Sequence, residues 1–368
     1  MKTYQKLLST LYKNDILFKN RIVMAPMSRR RVEKGIPNEW MLTYFKQRAS
    51  AGLIITDNTA VEANGVGYTN VPGIYTKEQK EGWKKVVNAV HAAGGKIFVQ
   101  LVHAGRIGHP SIQEGRALIA PSAIPVKEKM RIPDGTYQAI PLADELDIIG
   151  VHAMIDAHIQ AAKNAIEVGF DGVEVHGAHG FLPDQFLNPG ANQRKDIYGG
   201  NIVNRSRFLL DIMHGIVQAI GKNRVGVRLS PFRSINGLHP YAEESATHRY
   251  LIRELNKLDI LYIHLSNSIA DGRSVIPKEF IEEIRQGFTN LILITGGYTA
   301  QRAEQDLQAG IADLIGFGKP FISNPDLVER FRTERALTPW DEETFYYGGP
   351  KGYIDYPTIQ SMISKQRI

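Results

Sequence analysis

The sequence predicts a parallel α/β barrel, and three observations support this fold class. Short apolar runs alternate with longer amphipathic stretches along the 368 residues. About eight such strand–helix units can be recognised, and eight parallel strands are the number that closes a (β/α)8 TIM barrel. The alternative, a doubly wound open sheet, is less well supported because no G-x-G-x-x-G motif follows the first strand. No linker divides the chain, so we expect one barrel domain over residues 1–368.

The predicted strands are short, rich in β-branched residues and almost continuously apolar, as expected for strands that are buried on both faces. They cover 22–25, 53–56, 97–101, 172–175, 225–229, 260–263, 291–294 and 314–317. Helices are predicted between them over 38–49, 77–93, 147–168, 203–220, 243–255, 277–285 and 299–309. Asn38 and Thr299 are suitable N-caps. Glycine follows four of these helices, where a left-handed residue ends a helix at little cost: Gly94, Gly169, Gly221 and Gly310.

Two segments lie outside this repeat. An insertion of about 103–141, with several Gly and Pro residues, follows the third strand, and a tail of about 339–368 is rich in Tyr, Gly and Pro. Insertions that follow barrel strands lie on the catalytic face. We therefore expect the insertion to border the active site.

Composition and charge narrow the functional classes. The absence of cysteine excludes disulfides, cysteine-ligated zinc and iron–sulfur clusters. The net charge of +6 is small and its basic residues are interleaved with acids, so no nucleic-acid partner is expected. No apolar stretch approaches the roughly 18 residues of a membrane span, so we expect no membrane partner and a cytoplasmic location. The oligomeric state stays open, with a homodimer as one option.

The motif His176-Gly177-Ala178-His179 follows a buried strand and is the most informative short segment. Two imidazoles three residues apart can converge on one oxygen and polarise a carbonyl or nitro group. A metal site would need a third ligand, and no nearby carboxylate is an obvious candidate, so no metal is predicted. A third option is that backbone groups satisfy both histidines.

Two polar residues lie within segments that the pattern predicts to be buried strands. Arg228 needs an anionic or strongly polar partner there, either a ligand or a structural ion pair with Glu174. Gln100 lies near the end of the third strand, where it either reads the edge of an amide-like ring or is satisfied by backbone groups. The charge pattern leaves both alternatives open.

Glycines follow the last two strands, as Gly296-Gly297 and Gly318-Lys319. In TIM barrels these two loops commonly bind phosphate, because glycine lets backbone N–H groups approach the oxygens. Tight turns alone would be the other explanation. Lys319 would add a point charge to such a site.

Together these segments resemble the old yellow enzyme family of FMN-dependent ene-reductases. The resemblance runs nearly end to end, through 20–29, 99–101, 103–106, 176–180, 184–187, 198–200, 204–205, 227–231, 316–322 and 352–357. It implies a TIM barrel that binds FMN non-covalently at the strand C-termini. Larger relatives with an iron–sulfur cluster are excluded by the lack of cysteine.

The resemblance assigns roles residue by residue. Pro26, Met27 and Ser28 would line the flavin, with the Ser28 hydroxyl near O4, and Asn58 stands at a further flavin-contact position. Gln100 would read the pyrimidine edge, and Arg228 would stabilise the anionic reduced flavin. The phosphate would be held by Gly296, Gly297, Gly318 and Lys319. Many relatives have Arg at the last position.

The implied reaction is ping-pong. NADH or NADPH gives hydride to the flavin and leaves, and an electron-poor alkene then binds with its carbonyl oxygen on His176 and His179. A basic residue of the insertion, such as Arg106 or Lys127, would favour NADPH.

One position departs from the family pattern. Phe181 replaces the usual tyrosine that protonates the substrate carbon, so water or another group, with Tyr68 and Tyr353 as candidates, must supply the proton. Nitro or nitrate-ester reduction would suffer less. Two other functions remain open at this point: a flavin-free phosphate-binding isomerase or lyase, and a non-catalytic FMN sensor.

Overall fold

The computed structural model describes residues 3–267, 269–270 and 273–366, and its centre is a closed barrel of eight parallel strands. The strands are β1 (Ile22–Met24), β2 (Leu53–Ala60), β3 (Ile97–Val102), β4 (Gly172–His176), β5 (Val225–Leu229), β6 (Tyr262–Ser266), β7 (Leu291–Thr295) and β8 (Leu314–Phe317). Each strand pairs with the next along the chain, and β8 pairs with β1 to close the ring. The predicted TIM barrel is confirmed.

Among the described residues, eight of the eleven α-helices form the outer series that follows the eight strands in turn. They are α1 (Glu39–Gln47), α2 (Lys77–Ala92), α3 (Ile148–Val168), α4 (Ile202–Ile220), α5 (Glu244–Lys257), α6 (Lys278–Gly287), α7 (Ala300–Gln308) and α8 (Leu327–Arg332). Asn38 and Thr299 cap α1 and α7 as predicted, since their side chains accept the N–H groups of Met41 and Arg302. All four predicted terminal glycines have positive φ, between 71° and 104°.

Side chains alternate along each strand, which places every second residue inside the barrel. The lower interior is apolar and includes Val23, Ile55, Phe98 and Leu293. Gly226 makes room for the large Tyr262 ring in this layer, because a Cβ there would overlap the ring. The upper interior is polar, and it positions the site described below.

An N-terminal hairpin, Leu11–Lys13 paired with Ile16–Phe18, belongs to the lower end of the barrel. Ile16 and Phe18 are buried in the same apolar cluster as the lower barrel residues. The sequence reasoning did not predict this hairpin, because its strands are three residues long and fall below the length at which periodicity is informative.

The insertion after β3 folds over its own small apolar core. A hairpin joins Lys129–Arg131 to Tyr137–Ala139, and Ile119–Ala120 pairs with Asp144–Glu145. Phe181, from the loop after β4, packs into the same cluster. Within the described residues, no helix is both long and apolar enough to span a bilayer.

Candidate active site

A cavity of about 1220 Å³ opens where the strands end. Its wall combines the segments after several strands with parts of the insertion and the tail. Thirteen of the fifteen predicted site residues line it: Pro26, Met27, Ser28, Asn58, Tyr68, His176, His179, Phe181, Arg228, Gly296, Gly297, Gly318 and Lys319. The other two, Gln100 and Tyr353, are fully buried behind the wall.

The two histidines lie side by side in this wall. His176 ends β4, and the ring centroids of His176 and His179 are 5.2 Å apart at an interplanar angle of 72°. Phe181 packs edge-on against His176, with centroids 4.8 Å apart. Among the described residues no group of three or more His, Asp or Glu side chains could hold a metal ion.

Three hydrogen bonds hold His179 in a left-handed backbone conformation, with φ of 58°. Its N–H donates to the Ser230 hydroxyl and its carbonyl accepts from Asn236, each at 2.8 Å. Its ring Nε2 lies 2.8 Å from the Ser266 hydroxyl on β6. A non-glycine residue adopts this backbone only where its surroundings compensate the strain, which is common at functional sites.

Both imidazoles are neutral near pH 7. Burial, together with the positive charge of Arg228, holds the pKa of His176 and of His179 well below the ordinary 6.5. A neutral imidazole still carries one N–H donor. The pair can therefore donate hydrogen bonds to a substrate oxygen without presenting a formal charge.

Arg228 lies opposite His176 in the β4–β5 register and points into the upper barrel. One guanidinium nitrogen donates to Ser266 Oγ at 3.3 Å, while Nε has no partner among the described residues. Burial lowers the pKa of Arg228 to about 10, so the side chain stays charged at neutral pH. The suggested ion pair with Glu174 is not formed, and the two carboxylate oxygens instead accept from other donors.

Those donors belong to a buried chain of hydrogen bonds that sequence reasoning missed. Gln100 Nε2 donates to Glu174 at 2.6 Å, and the other Glu174 oxygen lies 2.8 Å from His264 Nδ1. His264 Nε2 lies 2.9 Å from the hydroxyl of Thr295, which lines the cavity. His264 could have been found by counting back two residues from Ser266 on the same face of β6.

The glycine pairs lie at the end of the cavity formed by the loops after β7 and β8. Gly296 and Gly297 have φ values of 142° and 63°, which favour glycine on conformational grounds. Lys319 projects from the next loop, and its Nζ contacts Glu342 of the tail at 2.8 Å. It also lies 5.5 Å from the centroid of the Trp340 ring.

The two candidate proton donors occupy different surroundings. Tyr68 lines the cavity with its ring centroid 6.3 Å from that of Phe181. Tyr353 instead stacks on Tyr44 beneath the wall, with centroids 4.2 Å apart, and has Arg29 nearby. The structure therefore leaves Tyr68 as the candidate that faces the cavity.

The basic run Arg29-Arg30-Arg31 has mainly a structural explanation. Arg29 and Arg31 are buried and donate to backbone carbonyls of the tail, including that of Thr344. Arg30 lines the cavity. Arg106, one of the basic residues suggested for NADPH selection, is buried and donates to the carbonyl of Gly237 at 3.0 Å.

The donor set fits a flavin mononucleotide. Four buried polar atoms around the upper barrel have no partner among the described residues: Ser28 Oγ, Gln100 Oε1, His176 Nδ1 and Arg228 Nε. Buried groups of this kind normally bind a ligand or water. The cavity volume exceeds the roughly 300–1,000 Å³ of ordinary small-molecule pockets, so it can hold a tricyclic ring and a second planar guest.

In this TIM barrel a cation lies beneath a large cavity, two neutral imidazoles lie on the cavity wall, and glycines line one end. These features are those of a flavin-dependent oxidoreductase. The family model for the NADH:flavin oxidoreductase / NADH oxidase family matches residues 11–338. The chain belongs to this family. It is an NAD(P)H-dependent flavin oxidoreductase of the ene-reductase type, with FMN as its cofactor.

Relatives cover nearly the whole chain. 12-oxophytodienoate reductase 7 of Oryza sativa subsp. japonica is 40% identical over 361 residues, which are 92% of this chain and 91% of the relative. 12-oxophytodienoate reductase 2 of Arabidopsis thaliana is 36% identical over 352 residues, or 93% and 92% of the two chains.

Solved structures agree with this assignment. Morphinone reductase in complex with tetrahydroNAD has a TM-score of 0.92 and 40% identity over 96% of this chain and 98% of its own. The old yellow enzyme homologue from Zymomonas mobilis has a TM-score of 0.91 and 36% identity, over 96% and 99%. The flavin-free isomerase and the non-catalytic sensor are therefore set aside.

Proposed function

We propose that the enzyme reduces electron-poor alkenes, chiefly α,β-unsaturated carbonyl compounds, in the cavity above the barrel. The observation that carries this proposal is the pair of neutral, buried imidazoles on the wall, His176 and His179. Two N–H donors that converge on a carbonyl oxygen draw electron density from the β-carbon, which then accepts hydride more readily.

The cofactor would lie between the upper barrel and these histidines. Ser28 and Gln100 would hydrogen-bond the ring edges through atoms that otherwise lack partners, while Arg228 would hold a positive charge beneath it. Pro26, Met27 and Asn58 would line the ring, and Gly296, Gly297, Gly318 and Lys319 would hold the phosphate. Bound FMN supplies a carrier that accepts hydride from NAD(P)H and passes it to the alkene.

Gln100 would reach the cofactor from behind the wall. Its amide orientation follows from Glu174, because the carboxylate accepts only from the NH₂ group and leaves Oε1 as a free acceptor. Glu174 thus positions Gln100. Asn58 pairs with Gln100 across the β2–β3 register, after a bulge between Ile55 and Asn58 that re-aims the strand end.

Tyr68 would supply the proton to the α-carbon. Phe181 has no proton to give, and Tyr353 lies outside the wall. Burial raises the pKa of Tyr68 above the ordinary 10.0, so the phenol stays protonated at neutral pH. Nitro compounds and nitrate esters need no proton on carbon and form a second proposed substrate class, favoured by the phenylalanine at position 181.

The relatives named as reductases of 12-oxophytodienoate and morphinone support an enone-like substrate. A homodimer and a cytoplasmic location remain predictions from the sequence. We expect either nicotinamide to serve as the reductant, in the ping-pong order that one shared site imposes.

Stopped-flow absorbance tests the proposal in two separate half-reactions. NADH or NADPH should bleach the flavin of the purified holoenzyme anaerobically, and 2-cyclohexenone should restore its colour. The double variant H176A/H179A should slow recolouring by about a hundredfold or more, the range for one or two oxyanion donors. A double variant that reoxidises with the enone as fast as the parent enzyme would refute the assigned role of the histidines.

A further inference from the structure

Arg233 introduces a cation directly beside the histidine pair. It follows β5, and its side chain lines the cavity. Its Nη1 lies 3.3 Å from His179 Nε2 and 3.5 Å from Ser266 Oγ. The proposed mechanism does not use this residue.

No acid of the described residues forms an ion pair with Arg233. Among the described residues, the cavity wall carries seven Lys and Arg side chains but a single carboxylate, Glu128. That carboxylate already accepts the Gly237 N–H at 2.8 Å. A half-buried guanidinium whose hydrogen-bond partners among the described residues are a hydroxyl and an imidazole is poorly compensated, and an anionic ligand would compensate it.

Four of the other wall cations have contacts or roles of their own. Lys319 contacts Glu342, Arg29 binds tail carbonyls and Arg228 lies beneath the proposed cofactor site. Arg30 is enclosed by two aromatic rings, 4.5 Å from the Tyr68 centroid and 4.8 Å from that of Tyr346. Arg233 therefore differs from these four cations, because no comparable partner occupies it among the described residues.

We propose that the preferred alkene also carries a carboxylate, which Arg233 binds while the histidines bind its activating carbonyl. This inference rests on the proposed function. Since Arg233 Nη1 lies only 3.3 Å from the His179 ring, the groups that the guanidinium and the imidazole bind lie within a few bonds of one another. The substrate class is thus a short oxo-alkenoate, whose carboxylate matches the planar fork of a guanidinium.

A 2′-phosphate of NADPH is another anion that a guanidinium could bind. It belongs to the adenosine half of the dinucleotide, whereas Arg233 contacts the histidine that would face the reacting ring. The position of Arg233 therefore favours the alkene carboxylate. The experiment below distinguishes binding of the alkene carboxylate from binding of the 2′-phosphate.

The test compares (E)-4-oxo-2-pentenoic acid with its methyl ester. Both share one carbon skeleton, and the ester is the more electron-poor alkene, so an advantage for the acid reports binding of its charge. We expect kcat/KM for the acid to exceed that for the ester by about tenfold to a hundredfold, the range of a charge-assisted hydrogen bond. R233M should abolish this advantage, and R233K should keep part of it.

R253M is the matched control, since Arg253 is exposed on α5 and its loss changes the net charge equally. It should keep the full preference for the acid. Circular dichroism and FMN content should be the same in all variants. Dissociation constants of both compounds for the oxidised holoenzyme, from perturbation of the flavin absorption, give a readout that needs no turnover.

The outcomes are distinguishable. The proposal of a carboxylate site would be wrong if kcat/KM for the acid did not exceed that for the ester in the parent enzyme. It would also be wrong if R233M left this ratio of kcat/KM values unchanged. If R233M instead loses reduction by NADPH while keeping that by NADH, the residue reads the 2′-phosphate and the inference is wrong. If neither compound reoxidises the enzyme but the acid binds more tightly through Arg233, the proposed alkene reduction fails while the carboxylate site stands.

Discussion

Restoring a tyrosine at position 181 tests how the substrate carbon receives its proton. Phe181 is 4% exposed, lines the cavity and packs against both His176 and Tyr68. F181Y keeps that ring and adds one hydroxyl next to the histidines. The change therefore adds a second proton donor to a wall whose only candidate donor, in our proposal, is Tyr68.

The expected magnitude depends on whether Tyr68 already acts. A positioned general acid contributes about 10²- to 10⁴-fold to a rate. If Tyr68 already supplies part of this rate enhancement, F181Y should accelerate reoxidation of the flavin by an enone about tenfold. Y68F should slow the same step about a hundredfold. The double variant Y68F/F181Y should recover most of that loss, because the new phenol replaces the missing one.

Stopped-flow reoxidation of the reduced holoenzyme in H₂O and D₂O measures these rates. Flavin reduction by NAD(P)H and reoxidation by a nitro compound should change little in all three variants, which controls for damage to the site. If Y68F and F181Y both reoxidise with the enone at the parent rate, neither position supplies a limiting proton. Solvent would then be the donor.

Three further outcomes are expected from charges at the site. E342Q should release Lys319 from its contact with Glu342, so that the ammonium can bind the FMN phosphate more strongly. The Kd for FMN, measured by flavin fluorescence quenching, should fall about two- to fivefold, and by less at high salt. Burial raises the pKa of Asp184 to about 7, so ionising this carboxyl costs stability in the folded state. D184N removes that cost and keeps an acceptor for the Gly180 N–H. It should therefore raise Tm most above pH 7, and the gain in Tm should vanish towards pH 3.8. Because the pKa values of His176 and His179 are lowered, enone reoxidation should show no histidine titration between about pH 6 and 8.

The barrel could be predicted because its strands are continuous apolar runs between capped helices, which is a local signal. The sixth strand shows the limit of that signal. The prediction covered 260–263, whereas β6 runs from Tyr262 to Ser266 and contains the polar His264. A buried polar residue interrupts an apolar pattern, and only its partner, Glu174, explains its place inside the barrel.

The site was largely predictable for a similar reason. The carboxyl ends of parallel strands converge at one face, so strand-end residues such as His176 and Arg228 are brought together by topology alone. Residues whose place depends on long-range packing were harder to place. Tyr353 was expected at the substrate, but its ring stacks on Tyr44 of α1, and Arg233 gave no local signal at all.

Glu174 offers a test of the polar upper barrel as a structural element. It is fully buried and accepts from both Gln100 and His264. In E174Q an amide would present one acceptor and one NH₂ group to two donors, so one buried donor would lose its partner. Such a loss costs about 1–3 kcal/mol, and more where a charge was involved. E174Q should therefore lower the free energy of unfolding by at least this amount at pH 7.

The pH dependence of the unfolding free energy shows whether the negative charge of Glu174 is responsible. Burial alone would raise the pKa of Glu174, but His264, Arg228 and Gln100 outweigh it and lower the pKa below the ordinary 4.5. An acid with a lowered folded pKa contributes stability that is complete above 4.5 and is lost as the pH falls through the folded value. The difference between E174Q and the parent in urea unfolding should accordingly shrink below pH 4.5. E254Q, which removes the half-buried partner of the exposed Lys257, should stay within about 0.5 kcal/mol of the parent at pH 7. An E174Q variant equally stable at that pH would show that the buried carboxylate does not hold the barrel interior together.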